Sequence, residues 1–276
     1  MIADLHCHSR MSDGSLGMDE VVFFAKRAGL SAIALTDHDT LAGVTRAQVL
    51  GKRYGLEVVP GVEISCTDTG SGKPVHLLCY LPQKPDRLEG LLKTTLDRRT
   101  AAGKEMIRQV MRFFPLTEEQ AAKYYAQSQS IYRVHIMHAL ADLGYADRVY
   151  GRLYEELFGK NGSCRVRFEY PSLDTALDLV RDAQGSAVIA HPGEQGQADL
   201  CERLAAEGRI QGIEVYHPRN SADDRERLLA ICKNYGLVPT GGTDFHGGYS
   251  PSPNPLGTCL APAEAVSRLF QYKHGR

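Results

Sequence analysis

The chain has 276 residues, 43% hydrophobic and 24% charged, and a formal net charge of −1. This is ordinary for a globular protein of one large or two small domains. It excludes a global electrostatic pull toward nucleic acid or an anionic membrane, although a local cationic site can sit inside a neutral molecule. The first predicted strand is IADLHCH, residues 2–8. Strand alternation puts Ile2, Asp4, His6 and His8 on one face and Ala3, Leu5 and Cys7 on the other. His6 and His8 then stand side by side at the C-terminal end of the strand, a two-point metal clamp with Cys7 packed between them.

Further along, a helical stretch ending near a glycine repeatedly precedes a β-rich run. VVFFAKRAG leads to LSAIALTDHD, and TRAQVLGKRYG to LEVVPGVEIS, before the strand-like VHLLCYL. From 84 to 165 the strand signal lapses. LEGLLKTTLDRRTAAGKEMIRQVMRFF, LTEEQAAKYYAQ and VHIMHALADLGY read as helices. The alternation then resumes: DTALDLVRDAQG to SAVIAHPG, DLCERLAAEGRIQG to IEVYHP, RERLLAICKNYG to LVPTGGTDFHG. Glycine suits these helix ends because it adopts the left-handed conformation cheaply. The pattern predicts a parallel sheet of βα units over 1–83 and 166–276, interrupted by a helical insertion over 84–165 that caps the substrate site.

The polar residues punctuate the strand ends. His38 ends AIALTDH, Glu63 ends VVPGVE, His191 ends AVIAH, and Asp244 and His246 follow LVPTGGT. His76 opens its strand and fits this rule less well. In a closed α/β barrel such ends converge on one mouth, and Asp13, in the loop RMSDGS, can fold over it. Asp39 is read either as a support behind the ligands or, more simply, as the cap of the helix that follows it. Six histidines (His6, His8, His38, His76, His191, His246) and three carboxylates (Asp13, Glu63, Asp244) exceed the needs of one ion. Imidazole with carboxylate suits zinc, manganese or iron better than calcium. Two or three divalent ions sharing a bridging carboxylate keep a positive surplus that attracts phosphate, and such clusters drive displacement at phosphorus. Any one of these histidines alone is more simply a core or capping residue; the joint pattern carries the expectation.

With DLHCHS, SDG, TDHDT, GVEIS, AHP and GGTDFHG in this order, the chain strongly resembles the PHP (polymerase and histidinol phosphatase) family of metal-dependent phosphoesterases. The resemblance implies a distorted (β/α)7 barrel with a trinuclear site. It implies His6, His8, Glu63 and Asp244 on one ion, Glu63 bridging to a second held by His76 and His191, and Asp13, His38 and His246 on a third. YRVHIMHALADLGY and GIEVYHPRN resemble the small stand-alone members that hydrolyse nucleotide 5′- or 3′-phosphates or trim short RNA from its 5′ end. That implies phosphate contacts from Arg133, His135, His217 and Arg219, with His191 or His217 as the candidate general acid. Val134 and Thr243 depart from the family's usual proline and serine without removing a ligand.

Three rival readings differ in kind. An amidohydrolase usually adds a metal-bridging lysine on a strand, and no strand-end lysine is present. A histidinol-phosphate phosphatase would share the site, but the insertion favours the nucleotide subgroup. A non-catalytic metal-binding interaction module should have lost ligands, and all nine are present. The seven dispersed cysteines form no C-x-x-C pair and fit reduced thiols in the cytoplasm. No signal peptide, membrane span or stable protein partner is expected; the expected partner is a nucleotide or short oligonucleotide substrate.

Overall fold

The computed structural model describes residues 2–251 and 253–272. Seven strands form one sheet in sequence order: β1 (Ala3–Cys7), β2 (Ala32–Leu35), β3 (Glu57–Thr67), β4 (Pro74–Tyr80), β5 (Ser186–Ile189), β6 (Gly212–Tyr216) and β7 (Val238–Gly241). All neighbouring pairs are parallel except those of β4, which runs antiparallel to both β3 and β5. A bridge from Cys7 to Phe245, with the His8 amide donating to the Phe245 carbonyl at 2.8 Å, brings the end of β7 back to β1. The sheet is thus a nearly closed, distorted (β/α)7 barrel.

The helices are α1 (Met18–Arg27), α2 (Val44–Tyr54), α3 (Asp86–Val110), α4 (Glu118–Tyr125), α5 (Arg133–Asp142), α6 (Arg152–Phe158), α7 (Leu173–Asp182), α8 (Ala198–Ala206), α9 (Ala222–Tyr235) and α10 (Ala263–Tyr272). None among the described residues is long and apolar enough to cross a membrane. The strand walls are buried on both faces because helices cover the outside while side chains fill the inside. Ala3, Leu5, Ala34, Val59, Leu78, Val188 and Val238 meet in one interior cluster. Cys7 instead joins Val21, Val22, Ile33 and Ala47 beneath α1 and α2. The expected grouping of Ala3, Leu5 and Cys7 on one face therefore fails at Cys7. The cause is an irregularity in the β1–β2 register between Asp4 and Cys7; an extra residue in a ladder re-aims the side chains beyond it.

Between β4 and β5, α3 begins on the barrel core, with Leu88 and Leu92 packed among residues of β3, β4 and α7. Its second half joins α4, α5 and α6 in a separate cluster containing Met106, Ile107, Ile136, Met137, Leu140 and Phe158.

Candidate metal centre

β1 carries His6 and His8 into the mouth, and both are fully buried. Glu63 does not end a strand as expected. It lies within the long β3, three residues past the position paired with the end of β2, where it bridges to His38. From there its carboxylate occupies the centre of the mouth. Its Oε2 lies 3.3 Å from His6 Nε2, 3.2 Å from His8 Nε2 and 3.1 Å from His38 Nδ1. Its Oε1 lies 2.8 Å from His76 Nδ1 and 3.1 Å from His191 Nε2. His76 joins the set because β4 is reversed, so the start of this strand lies where its neighbours end.

Asp244 and His246 come from the segment after β7. Asp244 Oδ1 is 3.2 Å from His8 Nε2 and 3.5 Å from His6 Nε2. Asp13 folds over the mouth as the loop reading anticipates: its carboxylate is 3.4 Å from His246, and 3.7 Å from each of His8 and His38. All nine residues proposed from the sequence are brought together. The donor atoms of eight of them fall into overlapping groups that could each hold an ion, His6–His8–Glu63–Asp244, His8–Asp13–His38–His246 and His38–Glu63–His76, while His191 stands outside these groups with its Nε2 against Glu63.

Electrostatics fit divalent ions. His6 Nε2, His8 Nε2, His38 Nδ1, Asp13 Oδ1 and Glu63 Oε2 are buried without a hydrogen-bond partner, and buried polar atoms are rarely left so. Burial opposes a charge on His8 and His191, yet the carboxylates of Asp244 and Glu63 beside the first, and of Glu194 and Glu63 beside the second, carry each up to about 10. His38 goes the other way: burial pushes it down to about 3 despite Glu63 and Asp13. Burial opposes ionisation of Asp244, but His246 and His6 hold it well below the carboxylate range. Protons here balance crowded carboxylates, a task a divalent ion performs by displacing them. Once bound, such ions supply Lewis-acid charge and activate water for attack at phosphorus. The backbone is also constrained: His191 (φ 27°) and Asp244 (φ 52°) both sit in the left-handed region, a strain that clusters at functional sites.

Three carboxylates that the sequence reading did not assign to the site hold it in place. Glu214, on β6, accepts from His6 Nδ1 at 3.0 Å and from the His191 amide at 2.9 Å. Asp37 accepts from the Ser9 amide, Ser9 Oγ and Ser12 Oγ, shaping the Asp13 loop. Asp4 accepts from the Thr243 and Gly257 amides behind Asp244. The available signal was an acid inside an otherwise apolar run, as in GIEVY. Asp39 is not a helix cap: α2 begins five residues later behind Gly43. It takes φ 55° and accepts from the Ser65 amide and hydroxyl at 2.9 Å each, and from Arg99.

The expected phosphate contacts separate. A cavity of about 250 Å³ is lined by Asp13, Glu63, His191, Arg219 and Asp244. A second of about 200 Å³ shares Asp13, His38, His76 and Tyr150 with the first, and adds Arg99, Tyr132 and Arg133. Arg219 reaches Asp244 Oδ2 at 3.3 Å. His217 is buried, with Nε2 3.6 Å from the same oxygen and Nδ1 accepting from the Arg219 amide. His135 lines neither cavity. It is 1% exposed, and its Nδ1 accepts from the Tyr132 amide at 3.2 Å, so it closes the first turn of α5. The expected phosphate contact from His135 is thus not supported by its position.

Comparisons with known proteins agree with this geometry. The PHP domain family model matches residues 4–158. The phosphoribosyl 1,2-cyclic phosphate 1,2-diphosphodiesterase of Eggerthella lenta is 37% identical over 92% of this chain and 97% of its own length. The 3′,5′-nucleoside bisphosphate phosphatase of Chromobacterium violaceum is 31% identical over 88% of this chain and 86% of its own. A crystal structure from Bifidobacterium adolescentis, of a protein assigned as a metal-dependent phosphoesterase, superposes with a TM-score of 0.88 at 27% identity, covering 98% of this chain and 96% of that one. The chain belongs to the PHP family and is a metal-dependent phosphoesterase.

Proposed function

We propose that this enzyme hydrolyses phosphomonoesters of nucleotides, such as AMP or 3′,5′-bisphosphates, or trims short RNA from its 5′ end, in the cytoplasm. The observation that carries the reading is the gathering of nine imidazole and carboxylate side chains at the mouth with Glu63 at their centre, beside one cavity lined by Arg219 and another lined by Arg99 and Arg133. His6, His8, Glu63 and Asp244 would hold one ion, His76 and His191 with Glu63 a second, and Asp13, His38 and His246 a third. Manganese, zinc or iron suits these donors. Arg219 and Arg133 would grip non-bridging phosphate oxygens; a guanidinium offers a fork matched to phosphate. His191 and His217 are the candidates to protonate the leaving oxygen; His191 lines the first cavity, whereas His217 is fully buried behind Asp244 Oδ2 and lines neither cavity. Residues 84–165 form the cap that carries Arg133 over the mouth.

The test is phosphate release with Mn²⁺ from mononucleotides, 3′,5′-bisphosphates, short 5′-phosphorylated RNA and histidinol phosphate. A clear preference for histidinol phosphate would overturn the nucleotide reading. In the same assay Arg133→Ala should lower kcat/KM about 30- to 1000-fold, the range for losing one charge-assisted contact to the transition state, without lowering metal content. An unchanged kcat/KM across the panel would make Arg133 a solvated helix charge.

A further inference from the structure

Neighbouring strands β5 and β6 end in similar turns, His191-Pro192-Gly193-Glu194 and His217-Pro218-Arg219-Asn220. The two turns are tied to each other reciprocally. Asn220 Oδ1 accepts from the Gly193 amide at 2.9 Å, while its Nδ2 donates to the Glu214 and Val215 carbonyls. The approach leaves no room for a side chain at 193, where a Cβ would lie 2.6 Å from Asn220 Oδ1. In return, Glu194 Oε2 accepts from Arg219 Nη1 at 2.7 Å.

The same Glu194 oxygen lies 3.2 Å from His191 Nδ1. One atom therefore links two groups facing the centre from different sides. The imidazole turns its other nitrogen to within 3.1 Å of Glu63, and the guanidinium sends its other arm to within 3.3 Å of Asp244. A ligating imidazole is commonly held by a carboxylate that accepts its second N–H, fixing both tautomer and ring angle. Glu214 does this for His6. Among the described residues, only Glu194 is within reach of His191 Nδ1.

We propose that Glu194 is a positioning residue for both halves of the site: it holds His191 with Nε2 toward the metal cluster, and Arg219 over Asp244 toward the substrate cavity. This rests on the reading of the nine residues as a metal centre. The Glu194–Arg219 pair is about one-third exposed on each side, and exposed pairs contribute little to stability. Its variants should therefore fold.

The experiment uses the full chain, Mn²⁺ titrated calorimetrically without substrate, and AMP turnover at saturating Mn²⁺. Glu194→Ala removes the shared oxygen, and Glu194→Asp withdraws it by one methylene while keeping the charge. Both should weaken Mn²⁺ binding roughly 10- to 100-fold, the usual cost of losing such a support, and raise KM for AMP. Glu194→Gln can set its carbonyl oxygen where Oε2 lies, so Mn²⁺ affinity and KM should return to within about threefold of wild type. A role confined to closing the turn would leave the Mn²⁺ affinity of Glu194→Ala and Glu194→Asp unchanged, and that result overturns the proposal. So does a Glu194→Gln variant as impaired as Glu194→Ala, which would assign the effect to charge. Wild-type protein that takes up Mn²⁺ but hydrolyses no phosphate ester sinks the nucleotide reading alone, because the calorimetric comparison still decides Glu194. Wild-type protein that takes up no metal overturns both.

Discussion

Asp244 divides its carboxylate between two tasks. Oδ1 faces His6, His8 and His246, while Oδ2 faces His217 and Arg219. On the proposed assignment Asp244 joins metal donors to phosphate donors, so a residue that serves only a single side should not replace it. His135 shows the opposite case, a histidine whose chemistry is spent on structure. Burial pushes it down to about 4, below the ordinary 6.5 of an exposed imidazole. The sign follows. The unfolded chain takes up the proton first, so the stability contributed by neutral His135 is complete above 6.5 and is lost as pH falls toward 4. Glutamine at this third helical position can cap the same amide without titrating. Between pH 7 and 4.5, wild type should lose about 2 kcal/mol more than His135→Gln in urea unfolding. Parallel losses in the two proteins would remove His135 from the pH response. From sequence, the Arg133–His135 spacing resembled a phosphate motif, and nothing in spacing alone tells a ligand-facing imidazole from a capping one.

Among the elements, the reversal of β4 decides most. The βα pattern was legible because helix-ending glycines and apolar runs are local signals, but strand direction is set by pairing partners distant in the chain. His76 therefore looked misplaced at the head of its strand, although the antiparallel pairing puts it against Glu63. The register irregularity in β1 and the short α6 were invisible for similar reasons. The first depends on the facing strand, and the second is a seven-residue helix held by the insertion's own cluster. Beyond the packing of Leu88 and Leu92, α3 is tied to the barrel by a polar contact. Arg99 donates to Asp39 and to Ser65 Oγ (3.0 Å), with the Tyr132 and Tyr170 rings 4.7 and 5.4 Å from its guanidinium. Asp39 is completely buried. Arg99→Met would strand that carboxylate without a cation, at a cost of about 3–5 kcal/mol. Adding Asp39→Asn removes the stranded charge, so the double variant should be more stable than Arg99→Met alone. Urea melts of the two single variants and the double variant measure this coupling. Strictly additive losses would mean that the pair is not what fastens α3.

At the scale of the whole molecule, apolar packing and the charged centre occupy different places. The clusters inside the barrel, beneath α1 and α2, and around α7 to α9 consist of aliphatic, aromatic and cysteine side chains. The buried imidazoles and carboxylates gather at the mouth, many within hydrogen-bond reach of one another. Folding should therefore not depend on metal in the way it does for a small metal-nucleated domain, where the apo chain is unfolded. Removing the ions should still cost something, because a ligand that binds only the native state stabilises it by roughly 3–4 kcal/mol at 100 to 1000 times its dissociation constant. Chelation should accordingly abolish phosphate release and lower the melting temperature, while far-UV circular dichroism and cooperative unfolding persist; adding Mn²⁺ should restore both rate and melting temperature. Collapse of the dichroism on chelation would show that the centre also builds the barrel, since mutual repulsion of Asp13, Glu63 and Asp244 would then outweigh the apolar clusters. Hydrolysis that survives in chelated, metal-free protein would remove the ions from the chemistry and leave the nine side chains as a proton-balanced network with a structural role.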